Sequence, residues 1–267
     1  MTSMLLCSLL TVAGLSFLPN PKTRSLISNP NILELKLVAQ LPAELPQRIS
    51  SLAYDGKNIW VTIYHGRGHY AVLDRSTLDW KISDDDKHHK AIKEVAGAFE
   101  SPGGVCFAKD RLWVGGSYGE SFGYINTQDW TATQIFKGKY RNDPASQGYA
   151  GMAYDGDHIW IAWHWCRYNL PTSQTQLLLK IDPETGKVIG EYPLPEGTPN
   201  DVTHGLTWDG TRLWHMKDSK LSSIDPASGE VIAQYYLRQI RRASGLAWDG
   251  DALWIAEFNG KIWRLPF

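Results

Sequence analysis

The chain is poor in cysteine, with 3 Cys among 267 residues and no spacing typical of a disulfide framework or a metal-binding cluster. Cys106 lies in a segment expected to be an innermost strand, where it would be a small buried residue. The chain also lacks an excess of one charge, since 27 Lys and Arg nearly balance 28 Asp and Glu. This balance excludes a global attraction to polyanions, so we expect no nucleic-acid partner.

The chain shows no apolar run of the roughly 20 residues that a membrane-spanning helix needs. The apolar run Met4–Leu18 has 15 residues and is typical of a secretory signal, with cleavage after Ala13 or Ser16, although no Lys or Arg precedes it. We therefore expect a signal segment at 1–18, a linker at 19–30 and no membrane span in the mature chain. This predicts a periplasmic or extracellular protein, or a cytoplasmic one if the segment is not a signal.

The chain does contain a repeated phrase: an apolar segment, then Asp-Gly, then a second apolar segment that ends in tryptophan. Five copies end at intervals of 53, 47, 54 and 40 residues, at Trp60, Trp113, Trp160, Trp214 and Trp254. Asp-Gly between apolar runs predicts an antiparallel hairpin, because Gly tolerates positive φ. Lys109-Asp110 replaces Asp-Gly in the second copy, so we expect a different turn type there.

The third and fourth copies continue into a second hairpin, around Asp-Pro-Glu-Thr-Gly186 and Asp-Pro-Ala-Ser-Gly229. Four antiparallel strands in roughly 40–50 residues describe a propeller blade. The fifth copy ends one strand short, and residues 31–42 resemble a fourth strand. We therefore predict an all-β fold, a single five-bladed β-propeller over 31–267. An N-terminal strand would close the ring by joining the last blade, and the five repeated tryptophans would pack between blades.

Two classes of loop are expected to open onto one face of the ring: those that precede each innermost strand and those that join the second and third strands. The loops are rich in imidazole, guanidinium and indole groups, which suit a polar or anionic ligand, although a polar solvent-facing surface would look similar. His204 is the strongest candidate, because it directly precedes an innermost strand; a histidine bonded within a tight turn is the alternative. The predicted ligand-binding residues are His65, Arg67, Tyr118, Glu120, His164, Trp165, Arg167, His204 and Glu257.

Two further clusters of residues are candidates for a metal site and for the start of a helix. His65, His69 and His164 carry imidazoles that suit a metal, but the spacing places no acidic partner with them, so we predict no metal and no cofactor. The run Asp84–His89 predicts the start of a short helix, with an Asp as N-cap, in a solvated insertion between the first and second blades.

The phrases in Gly205–Tyr235 and Gly245–Leu265 resemble the repeat of plant-type glutaminyl-peptide cyclotransferases and their bacterial relatives. The resemblance implies an exported five-bladed propeller that cyclises N-terminal glutamine. Similar phrases occur in streptogramin lyase-like and quinoprotein-like propellers. The family's catalytic Glu, within Glu-Ser-Thr-Gly, has no counterpart here, where Val61-Thr-Ile-Tyr64 follows Trp60; the family's Phe-Thr-Gln-Gly-Leu is likewise replaced by Arg48-Ile-Ser-Ser-Leu52. The proton shuttle therefore has no candidate at the matching place, and Glu257 or Glu120 would substitute only by convergence.

Three functions are open on this basis. The first is an exported, non-catalytic propeller that binds a small polar molecule or a peptide on its loop-rich channel face. The second is an enzyme, either a diverged glutaminyl-peptide cyclotransferase or a lyase-type activity that uses His204 with a nearby acid. The third is an interaction scaffold for a protein partner.

Overall fold

The repeat builds five four-stranded antiparallel sheets, as the sequence predicts. The computed structural model describes residues 34–64, 70–82, 85–97, 102–117, 121–138, 140–141, 147–165, 172–195 and 205–267. Blade one contains β2 (Ile49–Tyr54), β3 (Asn58–Ile63), β4 (Tyr70–Asp74) and β5 (Trp80–Ile82), and blade two contains β6 (Pro102–Ala108), β7 (Arg111–Gly116), β8 (Ser121–Asn126) and β9 (Ala132–Lys137). Blade three contains β10 (Gln147–Tyr154), β11 (Ile159–Trp165), β12 (Gln176–Ile181) and β13 (Val188–Pro193). Blade four contains β14 (Gly205–Trp208), β15 (Leu213–Lys217), β16 (Lys220–Ile224) and β17 (Val231–Tyr236).

Blade five is completed by the N-terminus. Its sheet has the order β1 (Lys36–Gln40), β20 (Lys261–Pro266), β19 (Ala252–Glu257) and β18 (Ala243–Trp248). Leu37 pairs with Trp263 and Ala39 with Ile262. The innermost strands β2, β6, β10, β14 and β18 each contact the next, and β18 contacts β2. The predicted ring closure is therefore confirmed, and the edge of β20 is covered.

The repeated tryptophans lie between blades, as predicted. Trp113, Trp160, Trp214 and Trp254 are each at most 4% exposed, and Trp60 is partly buried. Each belongs to a hydrophobic cluster that joins its own blade to the following one; Trp254, for example, contacts blade one. The four buried tryptophans hold neighbouring blades together and are not available to a ligand, whereas Trp60 lines a pocket beside Tyr70 and His88.

The Asp of each Asp-Gly turn fixes its tryptophan. The Asp carboxylate accepts two turn N–H groups through one oxygen and the indole N–H of the tryptophan five residues later through the other. The indole Nε1 to Oδ2 distance is 2.7 Å for Asp55, Asp155 and Asp209 and 2.8 Å for Asp249. Burial raises the pKa of each carboxyl, but the indole and backbone N–H donors outweigh it and hold the pKa below its ordinary value.

The second copy forms a different turn, as expected. Lys109 and Asp110 are both in the left-handed region, with φ of 50° and 61°. Ala108 pairs with Arg111, so the connection is a two-residue hairpin loop. This turn lacks the Asp-Gly phrase and yet joins its strands in the same place, so the phrase is not essential to form the hairpin.

The predicted insertion helix is α1 (Asp86–Ala96), and Asp85 is its N-cap, accepting from the Lys87 N–H at 2.9 Å. Ile92 and Val95 are fully buried and join the cluster between blades one and two. The charged start of the helix is solvated as expected, whereas its apolar face is part of the core. A second helical turn, α2 (Thr172–Thr175), precedes β12.

Glycines allow the innermost strands to touch in the middle of the channel. A Cβ on Gly104 would lie 1.6 Å from the Ala150 carbonyl oxygen, and one on Gly245 would lie 2.7 Å from the Leu52 nitrogen. Ser51 stands at the corresponding position of blade one, where its hydroxyl accepts from the Val105 N–H of blade two at 3.2 Å. The channel is therefore narrow at this level.

Candidate functional site

The predicted rim is described in part. His65, Arg67, Tyr118, Glu120, Arg167 and His204 lie outside the described residues. The described members are His164 and Trp165, at the end of β11, and Glu257, at the end of β19. These ends lie on the face opposite the Asp-Gly turns, as the antiparallel order requires.

His164 lies below the surface of this face, only 1% exposed. Its imidazole lies directly against the backbone of Gly148: a Cβ on Gly148 would be 1.9 Å from the His164 Cε1 and 2.1 Å from the Ser117 carbonyl oxygen. Glycine at 148 is therefore required for the imidazole to lie between blades two and three. Trp165 is partly buried, with its ring 6.2 Å from that of Trp163.

Glu257 is 2% exposed, and both of its oxygens accept hydrogen bonds. The Arg241 backbone N–H donates to Oε1 at 2.9 Å, and the Trp263 indole N–H donates to Oε2 at 2.9 Å. The carboxylate thus ties the loop before β18 to the body of blade five. This geometry assigns Glu257 a positioning role for the loop that carries Arg241.

Arg241 and Arg242 are exposed at the end of that loop. The Arg242 guanidinium lies 4.3 Å from the centre of the Phe258 ring, and the Phe258 N–H donates to the Arg242 carbonyl at 2.9 Å. The Phe258 ring is in turn 5.7 Å from Tyr64 of blade one. Stacking on an aromatic face restrains a guanidinium while leaving its N–H edge open to an anion.

The same sector of the loop-rich face is rich in cations. We define the cationic sector as the loops that run from the end of β15 through blade five to the start of β2, residues 217–220, 237–242, 257–260 and 42–48. The described residues of the sector include three acidic side chains, those of Glu44, Asp218 and Glu257, and its Lys and Arg residues are Arg48, Lys217, Lys220, Arg238, Arg241 and Arg242. Glu257 and Lys217 are buried, so five cations and two carboxylates remain accessible and the accessible charge is mostly positive.

The opposite face, which carries the Asp-Gly turns, is acidic. Arg75 of blade one reaches Asp249 at 2.7 Å and Asp251 at 2.8 Å of blade five, and Lys109 of blade two reaches Glu184 of blade three at 3.5 Å, so these turns share one face. Fourteen of the 28 Asp and Glu and five of the 27 Lys and Arg are in its turns, a formal charge of −9 against −1 for the whole chain. The turns are 55–58, 74–79, 109–110, 127–131, 155–158, 182–187, 209–212, 225–230 and 249–251.

The nearly neutral charge of the whole chain conceals this difference in charge between the two faces. Counting charges by turn, once the hairpins are assigned, would have revealed it. Across the described ranges, no group of three or more His, Cys, Asp and Glu side chains is arranged to hold a metal ion. Neither described helix has the length and hydropathy required to cross a bilayer.

The fold is similar to solved β-propellers of different function. The structure of Myxococcus xanthus glutaminyl cyclase matches with a TM-score of 0.56 and 11% identity, over 86% of this chain and 95% of that one. Staphylococcus aureus virginiamycin B lyase matches with a TM-score of 0.51 and 14% identity, over 88% and 100%. A nidogen/laminin complex structure matches with a TM-score of 0.50 and 14% identity, over 79% and 73%.

These likenesses show the fold. At such identities they do not choose among the activities, because unrelated functions share propeller architectures. Neither protein-family models nor curated protein sequences match the chain.

Proposed function

We propose that this chain is an exported, non-catalytic propeller that binds a small carboxylate-bearing molecule or the C-terminal carboxylate of a peptide. The site is the cationic sector of the loop-rich face. The observation that carries the proposal is the restrained pair Arg241 and Arg242, one held at its backbone by buried Glu257 and the other stacked on Phe258.

The chemistry of the pair favours a carboxylate. A guanidinium presents a planar fork of N–H donors that matches two carboxylate oxygens, and stacking lowers the entropy lost when the ligand binds. Charge-assisted hydrogen bonds of this kind contribute about 1.5–3 kcal/mol each. Phe258, which is partly exposed beside them and packs on buried Tyr64, offers apolar surface to the rest of the ligand.

The experiment compares one peptide in two forms. Tetra-alanine with a free C-terminus and the same peptide with a C-terminal amide are titrated into the full chain by calorimetry at low salt. We expect the carboxylate form to bind and the amide form to bind at least about tenfold more weakly, since 1.4 kcal/mol corresponds to a factor of ten.

A matched pair of variants locates the site. Arg241→Ala combined with Arg242→Ala should weaken binding by at least about tenfold. Arg111→Ala is the control, because its guanidinium lies 4.3 Å from the Tyr124 ring in the same kind of stack, next to the Lys109-Asp110 turn on the other face. Equal binding of the two peptide forms, or an equal loss in the control variant, would contradict the proposal.

The enzyme alternative has its own test. Glu257 has both oxygens occupied by structural donors, so a proton shuttle through it would break the bond that holds the Arg241 loop. We expect the unmutated chain to show no glutaminyl-peptide cyclisation. If it is active, His204→Ala should be assayed next, because His204 precedes β14 at the predicted channel mouth.

A further inference from the structure

The second mouth of the channel is framed by aromatic side chains. Each innermost strand places one near its end, next to the hairpin turn, and each is partly exposed: Tyr54, Phe107, Tyr154, Trp208 and Trp248. We call these five residues the aromatic collar. Each belongs to the cluster between its own blade and the preceding one, so the collar repeats around the ring.

The collar surrounds a cavity of about 100 Å³ that all five innermost strands line. This is about the volume of three water molecules, at roughly 30 Å³ each, and therefore suits a small head group. Its deeper lining includes Leu52, Val105, Met152 and Leu246, which directly follow the narrow level of the channel. The cavity, which we call the pit, thus lies between the narrow level of the channel and the face that carries the turns.

The side chains of the pit are mostly aliphatic, aromatic or sulfur-bearing, yet most of its accessible surface is polar, so backbone groups of the innermost strands contribute to it. Thr207 adds a hydroxyl. The Tyr54 hydroxyl donates to the Gly56 carbonyl at 2.6 Å, and the Tyr154 hydroxyl donates to that of Gly156; both oxygens can still accept. The pit therefore offers a cation both aromatic surface and hydrogen-bond acceptors.

The surrounding electrostatics favour a cation. Asp55, Asp155, Asp209 and Asp249 directly follow four of the collar residues, and the turns of this face carry the formal charge of −9 derived above. The pKa of each of these four carboxyls is lowered, so they stay ionised at neutral pH. No Lys or Arg lines the pit among the residues that the structure describes.

One cation of the chain, the Arg75 side chain, already contacts a ring of the collar. The Arg75 guanidinium lies 5.9 Å from the centre of the Tyr54 ring while bonded to Asp249 and Asp251. Attraction of a cation to an aromatic face strengthens as the cation is desolvated, and aromatic cages recognise quaternary ammonium groups in this way. The pit offers the same surroundings without an ionic partner in its lining.

We propose that the aromatic collar and its pit bind the ammonium group of a small organic cation. This site lies on the opposite face of the ring from the cationic sector. Cation binding at the collar and carboxylate binding at Arg241 and Arg242 are therefore independent proposals, and either can fail without the other.

The first test titrates the full chain with choline and with its neutral isostere 3,3-dimethylbutan-1-ol, by calorimetry at low salt. Choline should bind saturably, and the isostere at least about tenfold more weakly. Added salt should weaken choline binding. Absence of saturable choline binding, or equal binding of the neutral isostere, would overturn the proposal.

The second test uses variants. Trp208→Leu combined with Trp248→Leu should weaken choline binding by about tenfold or more, whereas Trp80→Leu should leave it unchanged. Trp80 is a suitable control because it is also partly buried but lies on the outer strand β5. An equal loss in the double variant and in Trp80→Leu would show that the effect is not at the collar.

A measurement on the unmutated chain avoids any loss of folding. With methionine methyl groups labelled, tetramethylammonium should give intermolecular NOEs to Met152, which lines the pit. Met216 is the internal control, because it is fully buried between blades four and five. NOEs to neither methyl group, or to both equally, would refute binding in the pit.

Discussion

Asp249 offers the sharpest test of how the repeated phrase holds the ring together. Its side chain is fully buried, and it accepts from the Asp251 N–H at 2.8 Å, the Ala252 N–H at 2.7 Å and the Trp254 indole at 2.8 Å. The Arg75 Nε of blade one adds a fourth bond at 2.7 Å. Asp249→Ala removes the acceptor for all four groups at once.

The expected loss of unfolding free energy follows from the hydrogen-bond donors that no longer have an acceptor. The Ala252 N–H and the Trp254 indole belong to residues at most 1% exposed, and each buried donor without an acceptor costs about 1–3 kcal/mol. The Arg75 side chain is 31% exposed and keeps its bond to Asp251, so the loss of its bond to Asp249 adds less to the cost. We expect a total of about 3–5 kcal/mol, a large part of a stability of about 5–15 kcal/mol.

Urea unfolding followed by near-UV circular dichroism measures this loss, and thermal unfolding should show a fall of roughly 10 °C in Tm. Asp225→Ala is the control, because that carboxylate accepts from the Ala227 N–H and the Ser228 hydroxyl in an exposed turn with no indole. It should cost less than about 1 kcal/mol. If the two variants lose the same stability, the bond to the tryptophan does not hold the blades together.

The remaining predictions address the narrow level of the channel, the buried histidine and ring closure. Gly104→Ala should lower the free energy of unfolding in urea by about 3 kcal/mol or more, because the added Cβ meets the Ala150 carbonyl. The control Gly250→Ala, at φ 97° with open space around it, should cost about 1–2 kcal/mol. Equal costs would refute the close approach of Gly104 to Ala150. Burial, and then the charge of Lys217, lower the pKa of His215 to about 3. Its contribution is therefore full above the unfolded pKa of about 6.5 and is lost as pH falls towards 3, by up to about 1.4 kcal/mol per pH unit; His215→Gln should flatten this dependence of the unfolding free energy, and an unchanged slope would contradict it. Deletion of residues 1–40 removes β1 and should expose the β20 edge, which light scattering would detect as self-association; a stable monomer would show that ring closure is dispensable.

The fold was predictable because its signals are local and repeated. Asp-Gly between apolar runs defines a hairpin by turn chemistry alone, and counting strands showed that the last blade lacked one. The tryptophans were correctly assigned to the blade interfaces because they share one position in every copy. What the repeat cannot convey is the inner geometry, such as the contact of Gly104 with Ala150, which depends on how the blades meet.

The candidate site was harder to predict, because loop residues carry no periodicity that reports their burial. Glu257 was chosen as an exposed rim carboxylate, yet the end of β19 turns it inward to Arg241 and Trp263. The Arg241-Arg242 pair was visible in the sequence, but its stacking on Phe258 depends on a neighbouring loop. The aromatic collar could have been found by aligning the five phrases, since an aromatic residue precedes the turn in each.

The proposed function depends on carboxylate binding at blade five of the loop-rich face. A crystal structure of the full chain grown with citrate would show whether a carboxylate binds there. We expect a citrate carboxylate within hydrogen-bond distance of the Arg241 or Arg242 guanidinium, with Arg242 still stacked on Phe258. Citrate bound only elsewhere, or no citrate at this pair at a saturating concentration, would contradict the proposed function.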